Sequence, residues 1–397
     1  MCVYKCKLRF VYICISYTII MQITSWYTHN FEDRLTGRYI TIKHIMPILD
    51  SYRTNFNVSV AGFSEMGVEI PLVTFGNGTK KVLVWSQMHG NESTTTKALF
   101  DFFKYIIKNK QHTAQLLSQY SFYVLPILNP DGAALYTREN ANNIDLNRDA
   151  RDVSQNESIV LKSIFESLQP HLCLNMHDQR SIFGISGPKP ATLSFLAPAA
   201  DALKTITPAR EIAMGLIVKM KNYLHANHLN QIGRYDDTFN HNCVGDSFSS
   251  YGAPTILFEA GHYHKDYNRE QSRSFVFYSL IALFDLDKSA PISSLDYKEY
   301  FAIPENQKIY KDLVLYNVKV LGEQTLQTIS FQHKEILIDE KIEFELYFDT
   351  MGANNDVFGH KCFDLKGGGI LVNSHQNVTI DKKITTIFDI TQNLMLI

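Results

Sequence analysis

The sequence predicts an α/β fold: a largely parallel sheet covered by helices on both faces, with a small all-β domain after it. Three observations carry this reading. Apolar strand-like runs at 82–86, 122–128, 172–176 and 255–258 alternate with helical patterns near 93–108, 154–168, 209–226 and 269–286. A polar cluster falls at or just after the end of each run, where an α/β sheet usually binds its ligands. Beyond Pro291 the pattern shifts to short runs rich in Val, Ile, Phe and Tyr, such as LVLYNVKVL (313–321) and KIEFELYF (341–348), separated by turns.

Taken in order, the chain opens with Lys5, Lys7 and Arg9 before an apolar run from Phe10 to Met21. That is the layout of a signal peptide's first two regions, but no small-x-small cleavage site follows. The run is also too short to span a bilayer as a helix, so no stable membrane span is expected. Residues 1–21 are read as an N-terminal extension or signal-like segment. Of six cysteines, Cys2, Cys6 and Cys14 crowd this segment, while Cys173, Cys243 and Cys362 are scattered singly. With no CxxC pair, neither a disulfide framework nor a cysteine zinc site is indicated. The thiols fit a reducing, cytoplasmic setting and the signal-like start fits export. A net charge of -2, with no basic run and no Gly-rich phosphate loop, excludes an electrostatic case for nucleic acid.

Residues 22–60 mix short helical patterns with turns, and Pro47 interrupts one of them. Two short strand-like pieces fill 61–75, and Gly76-Asn77-Gly78 turns the chain into the strand at 82–86. Ser93 opens a helix whose apolar face is Ala98, Leu99, Phe102, Phe103, Ile106 and Ile107. The strand at 122–128 ends in Asn129-Pro130-Asp131-Gly132, read as a strong turn, and a polar loop follows to Asp149. Residues 22–288 make up the α/β domain, Asp287 to Pro291 a linker, and 292–397 the β domain, in which Gly367-Gly368-Gly369 reads as a turn.

The chemistry concentrates at the strand ends. His89 and Glu92 sit where the strand at 82–86 turns into a helix, with Gly90 permitting close backbone approach. A histidine and a carboxylate three residues apart there can grip one metal ion. His-x-x-Glu alone is weak: His29 and Glu32 share it, with no strand leading in and no Gly after the His. A catalytic zinc needs three protein ligands, and His177, at the end of the run 172–176 and followed by Asp178, supplies a third. Glu259 ends the strand at 255–258, a costly place for a carboxylate without a job, and is the candidate general base. His262 and His264 are expected to line the rim. Arg148 with Asn147 offers a bidentate fork plus an amide for a carboxylate, and Arg138 can polarise a carbonyl.

In this order the residues resemble the zinc carboxypeptidase family. Its pattern stands here as HGNE (89–92), NPDG (129–132), Arg138, DLNR (145–148), His177 and Glu259, over roughly residues 60 to 285. The resemblance implies a three-layer α/β/α sandwich around a mixed sheet and one catalytic zinc ion. It implies His89, Glu92 and His177 as zinc ligands, Glu259 as the base that activates water, and Arg138 as the oxyanion stabiliser. It makes Asn147 and Arg148 the clamp for the substrate's C-terminal carboxylate. The family's mobile tyrosine has no clean match: Tyr235 is the nearest candidate and Tyr251 the second, with Cys243 and Asp246 lining the pocket around it. HDQRSIFG (177–184) also departs from the family's wording, which makes Arg180 a further substrate contact. The β domain resembles those of acyl-amino-acid hydrolase relatives. Three functions therefore stand: a zinc metallocarboxypeptidase of peptides, a zinc amidohydrolase of small N-acyl amino acids, and a non-catalytic peptide-binding protein.

Overall fold

The computed structural model describes residues 23–227, 229–287, 295–353, 356–375 and 382–397. The signal-like segment, with Cys2, Cys6 and Cys14, and the linker from Lys288 to Pro291 lie outside the described residues.

Eight strands make one mixed sheet: β1 (Asn57–Phe63), β2 (Glu69–Phe75), β3 (Lys80–Ser86), β4 (Tyr120–Leu125), β5 (Leu172–Asp178), β6 (Leu193–Leu196), β7 (Ile232–Arg234) and β8 (Thr255–Ala260). Their order across the sheet is β1-β2-β4-β3-β5-β8-β6-β7. The central four, β4, β3, β5 and β8, run parallel, while β2 and β6 pair antiparallel at their flanks.

Alternation along β3 explains the layers. Val82 and Val84 enter one core, with α1 (23–30), α2 (Ile42–Tyr52), α3 (Thr94–Lys108), α4 (Lys110–Gln119), α7 (Pro208–Ala226) and α9 (Glu270–Leu283). Leu83 and Trp85 face the other, with Leu161 and Phe165 of α6 (Asn156–Leu168) and Val244 and Phe248 of α8 (Val244–Ser250). Both faces of the central strands are thus buried, as parallel strands require. The helix expected after Glu92 ends at Lys108 as read, and its apolar face is the buried one.

Three local readings change. Pro47 lies inside α2, which continues through it because Ile45, Ile48, Leu49 and Tyr52 are buried on one face. Asn129-Pro130-Asp131-Gly132 is a helix start rather than a plain turn: α5 spans Pro130–Leu135, and the Asn129 side chain accepts from Gly132 N at 2.8 Å. Proline suits that position because the first helical N–H has no intrahelical partner. The strands β6 and β7, with four and three residues, are too short to carry a readable alternation.

After α9, a short 3-10 helix, Tyr297–Ala302, packs on α7, with Tyr300 fully buried. The C-terminal region then forms a five-stranded sheet from β9 (Tyr310–Val318), β10 (Gln327–Ile338), β11 (Lys341–Gly352), β12 (Phe358–Asp364) and β14 (Lys383–Ile384), in the order β12-β9-β10-β11-β14. A three-stranded sheet of β13 (Ile370–Val372), β15 (Ile387–Asp389) and β16 (Leu394–Met395), in the order β13-β15-β16, shares one core with it. Gly367, at φ +86°, makes the turn after β12 that the glycine run suggested.

The C-terminal sheet docks on the α/β body through polar contacts. Arg38 pairs with Glu335 at 3.2 Å, Tyr267 donates to Asp312 at 2.8 Å, and His360 lies 2.8 Å from the Ser181 carbonyl. His262 is caught beneath it. Instead of lining a rim it is 1% exposed, its ring centroid lies 4.0 Å from that of His360 at a 42° tilt, and neither of its ring nitrogens has a hydrogen-bond partner among the described residues. Burial, then the His360 ring and the Arg269 charge, push its pKa down to about 2; Asp312 opposes them and Arg38 adds to them. The unfolded chain therefore takes up a proton near pH 6.5 that the folded chain refuses, so stability falls as pH drops below that value. Down to pH 5 this ring should account for a loss of about 2 kcal/mol, at about 1.4 kcal/mol per pKa unit. Denaturant unfolding at pH 7 and pH 5 measures it: His262→Gln should shrink the difference by that amount, and an unchanged difference would refute the assignment.

Candidate active site

The sheet order brings the strand-end clusters together. β4, β3, β5 and β8 are consecutive neighbours, so the loops leaving their carboxyl ends open at one edge. His89 follows β3, His177 is near the end of β5, and Glu259 is near the end of β8, paired in register with His177. The loop beyond β4 and α5 carries Arg138 to Arg148.

Close backbone packing joins the pieces. A Cβ on Gly90 would lie 1.9 Å from the Gly132 carbonyl carbon, so the turn after β3 and the start of α5 meet with no room for a side chain. The Asn129 amide ties them further, donating to Met88 O and Glu139 O at 3.2 Å each.

His89, Glu92 and His177 form a cluster whose ligand atoms all lie within 4.8 Å of one another. His89 Nδ1 is 2.9 Å from Glu92 Oε1, His177 Nδ1 is 2.8 Å from Glu92 Oε2, and the two Nδ1 atoms are 3.1 Å apart. On its far side, His89 Nε2 lies 3.0 Å from Asp145 Oδ1. Burial would raise the Asp145 carboxyl, but His89 and Arg138 hold it well below its usual range, so it is a carboxylate that can only accept. The Nε2 proton then belongs to that bond, and Nδ1 turns its lone pair to the cluster. Three acceptor atoms about 3 Å apart need a proton or a cation among them. Ligands about 2.0–2.1 Å from a tetrahedral zinc are themselves about 3.3 Å apart, so this set of two imidazoles and a carboxylate fits that ion.

The charges around the cluster are strongly shifted. Burial works to raise Glu92, yet the two imidazoles hold it well below the usual carboxylate range. Glu259 moves the other way, pushed well up by burial and by the negative charges of Glu92 and Asp178. Tyr235 is half-buried, its ring against Phe183, and its hydroxyl is held high by burial and by Glu259 and Glu92. Tyr251 is elsewhere: it is 58% exposed and takes Lys162 at 3.1 Å.

Arg138 reaches His89 Nδ1 at 3.2 Å and Glu92 Oε1 at 3.4 Å, braced on Asp145 at 3.0 Å. Asn147 accepts from Val244 N at 3.0 Å, which anchors it to the start of α8. Arg148 is exposed, with its guanidinium on Asn147 O and 3.0 Å from Cys243 Sγ; Asp246, pushed up to about 6 by burial, is also within its field. Asp178 is buried and anchors α3, accepting from Thr94 N and Oγ1 at 3.0 and 2.5 Å, while its own N–H donates to Glu92.

Asp145 is the residue that the motif reading passed over, although it stands in the same DLNR quartet as Asn147 and Arg148. Its signal was an aspartate preceding the short 3-10 helix Leu146–Arg148, whose Asn147 N–H it accepts at 2.9 Å. The decoy pair separates clearly: His29 is exposed and bonds Ser25 O within its own helix, and Glu32 is spent on Arg34 and Tyr52.

A model of the zinc carboxypeptidase family matches residues 43–169, a stretch that includes His89, Glu92, Arg138, Asn147 and Arg148. Carboxypeptidase 2 of Trichophyton rubrum is 31% identical over 164 residues, 38% of this chain and 30% of that protein, so the match spans under a third of the fungal protein's length. Among solved structures, a metallo-carboxypeptidase from Burkholderia cenocepacia superposes with a TM-score of 0.52 at 15% identity, over 62% of this chain and 69% of that one. A metallo-carboxypeptidase from Pseudomonas aeruginosa, solved with (2-guanidinoethylmercapto)succinic acid, gives 0.51 at 18%, over 63% and 70%. At these identities the structural likeness is one of fold.

Proposed function

We propose that this chain, whose residues 43–169 match the zinc carboxypeptidase family model, is a zinc-dependent metallocarboxypeptidase that hydrolyses the C-terminal amide bond of peptides. The observation that carries the reading is the convergence of His89, Glu92 and His177, with Glu259 on the next strand in register with His177. His89 Nδ1, Glu92 and His177 Nδ1 would hold one zinc ion. When bound, zinc supplies Lewis acidity and draws the acidity of water toward neutrality.

The chain's own residues do the rest. Glu259 takes the proton from the attacking water and returns it to the leaving amine. Arg138, braced by Asp145, offers N–H donors to the oxygen that gains charge. Arg148 and the free Nδ2 end of Asn147 bind the substrate's terminal carboxylate, and Tyr235, beside Glu259, closes on the bound residue.

A second reading keeps the same residues and changes the substrate to a small N-acyl amino acid. It is favoured by strand β10 of the C-terminal sheet, which walls the mouth beside Arg138. Turnover by the zinc-loaded protein separates the two. Release of the C-terminal residue from blocked dipeptides should exceed that from N-acetyl and N-succinyl amino acids by at least about 10-fold in kcat/KM, about 1.4 kcal/mol. The reverse order would transfer the site to the deacylase reading.

A further inference from the structure

A cavity of about 380 Å³ lies between the α/β body and the C-terminal sheet. Glu92 and Arg138 are in one wall, so it adjoins the donor cluster, and β10 from Gln332 to Glu335 lines another. Asn147 and Arg148 are not in its walls. With the departing residue held at that clamp, this cavity is the space left for the acyl side of the substrate, the residues that precede the scissile bond. Its volume is at the lower end of ligand pockets, about 300–1,000 Å³, and suits one or two residues rather than a long chain.

The cavity is lined by five arginine and lysine side chains against three carboxylates. Most of these charges are engaged. Arg38 pairs with Glu335, Arg269 donates to the carbonyls of Ala260 and Gln179, and Arg138 is held by Asp145 and Glu92. Two remain. Arg180, on the chain just after β5, is exposed and makes no hydrogen bond or ion pair among the described residues. Lys334, on β10, is exposed and rests its ammonium 4.0 Å over the Tyr347 ring without a carboxylate partner among the described residues. Among the described residues, buried polar atoms of the lining also stand without hydrogen-bond partners: the Nε atoms of Arg38 and Arg269, Asn91 Oδ1, Asp178 Oδ1, His333 Nδ1 and Gln332 Oε1, whose amide nitrogen is spent on Ser181 and Asp312.

We infer that this interdomain cavity selects substrates with an anionic side chain before the scissile bond, with Arg180 on the α/β wall and Lys334 on the β wall as its recognition pair. The substrate class is a short acidic peptide. The C-terminal sheet is thereby a specificity element, because β10 supplies half of the pair. A neutral side chain gains nothing from the two charges, and a cationic one is repelled by both.

This inference rests on the peptidase reading, and one experiment separates their failures. The full-length, zinc-loaded protein is given blocked dipeptides that share a C-terminal residue and carry Glu, Gln or Lys before the scissile bond. kcat/KM should be at least about 10-fold higher for Glu than for Gln, lowest for Lys, and the preference should shrink at high ionic strength. Arg180→Glu should reverse the Glu-to-Lys ratio, and Lys334→Glu, on the opposite wall, should move it in the same direction. Both positions are exposed, and zinc content checks that each variant is folded. Equal rates for the three peptides, or an unchanged ratio in both variants, would overturn the assignment while leaving the peptidase reading intact. If no peptide is turned over, both readings fall together.

Discussion

Glu259→Gln is expected to retain zinc and lose about 10²- to 10⁴-fold in kcat/KM, the usual worth of a positioned general acid–base. The substitution keeps shape and removes the proton acceptor. Its value as a test comes from stability. Burial and the neighbouring Glu92 and Asp178 charges already disfavour the ionised carboxyl at this position, so a neutral amide relieves a cost. The thermal midpoint should therefore equal or exceed that of the parent. A loss of activity with a lower midpoint would point to misfolding, and full activity would remove Glu259 from the mechanism. Zinc content, midpoint and kcat/KM together decide it.

Removal of His89 or His177 should abolish activity by a different route. If a zinc site is worth about 10–16 kcal/mol, three ligands share it at about 3–5 kcal/mol each, a loss of about 10²- to 10⁴-fold in metal affinity. His89→Ala and His177→Ala should both emerge from dialysis without the metal. In zinc affinity, Asp145→Asn should fall between them and the parent, because it removes no ligand but disturbs the tautomer and aim of His89, for which about 10- to 100-fold is typical, and it also loosens the brace on Arg138. His29→Ala, the chance match, should change neither zinc content nor rate. Normal zinc content in His177→Ala would mean that the cluster is not the metal site.

The contrast between His29 and His89 also shows what the linear chain can and cannot say. Both have a glutamate three residues on. What distinguishes His89 in sequence is the apolar run before it, Gly90 after it and the helix after that, and each of these has a local physical cause in the structure. The run is β3, buried on both faces. Gly90 meets Gly132 with no space for a Cβ, and the apolar face of α3 packs in the core. Periodicity of this kind survives in sequence because burial acts on every second or every third to fourth residue.

Other features had no such trace. Asn129-Pro130-Asp131-Gly132 is compatible with a turn or with a helix start; in the structure the Asn129 cap on Gly132 N goes with the helix, and Gly132 packs on Gly90. His262 is expected at the rim from its place just after a strand end, but the C-terminal sheet, which covers it, is encoded some 50 to 100 residues later. The cation pair of Arg180 and Lys334 belongs to one cavity only because β10 lies across its mouth, and neither residue has a neighbour in sequence that announces the other.

The sequence alone therefore determined the α/β alternation, the change to β structure after Pro291, and the order of the candidate metal-binding and carboxylate-binding residue types, since each is written in local pattern or in nearby motif. Only the tertiary structure decided that β4, β3, β5 and β8 are neighbours, that His89 Nδ1 and His177 Nδ1 face the same carboxylate, and that a distant sheet walls the site. The physical reason is range: helix and strand propensities act over a few residues, whereas sheet order and domain docking come from burial between segments far apart in the chain.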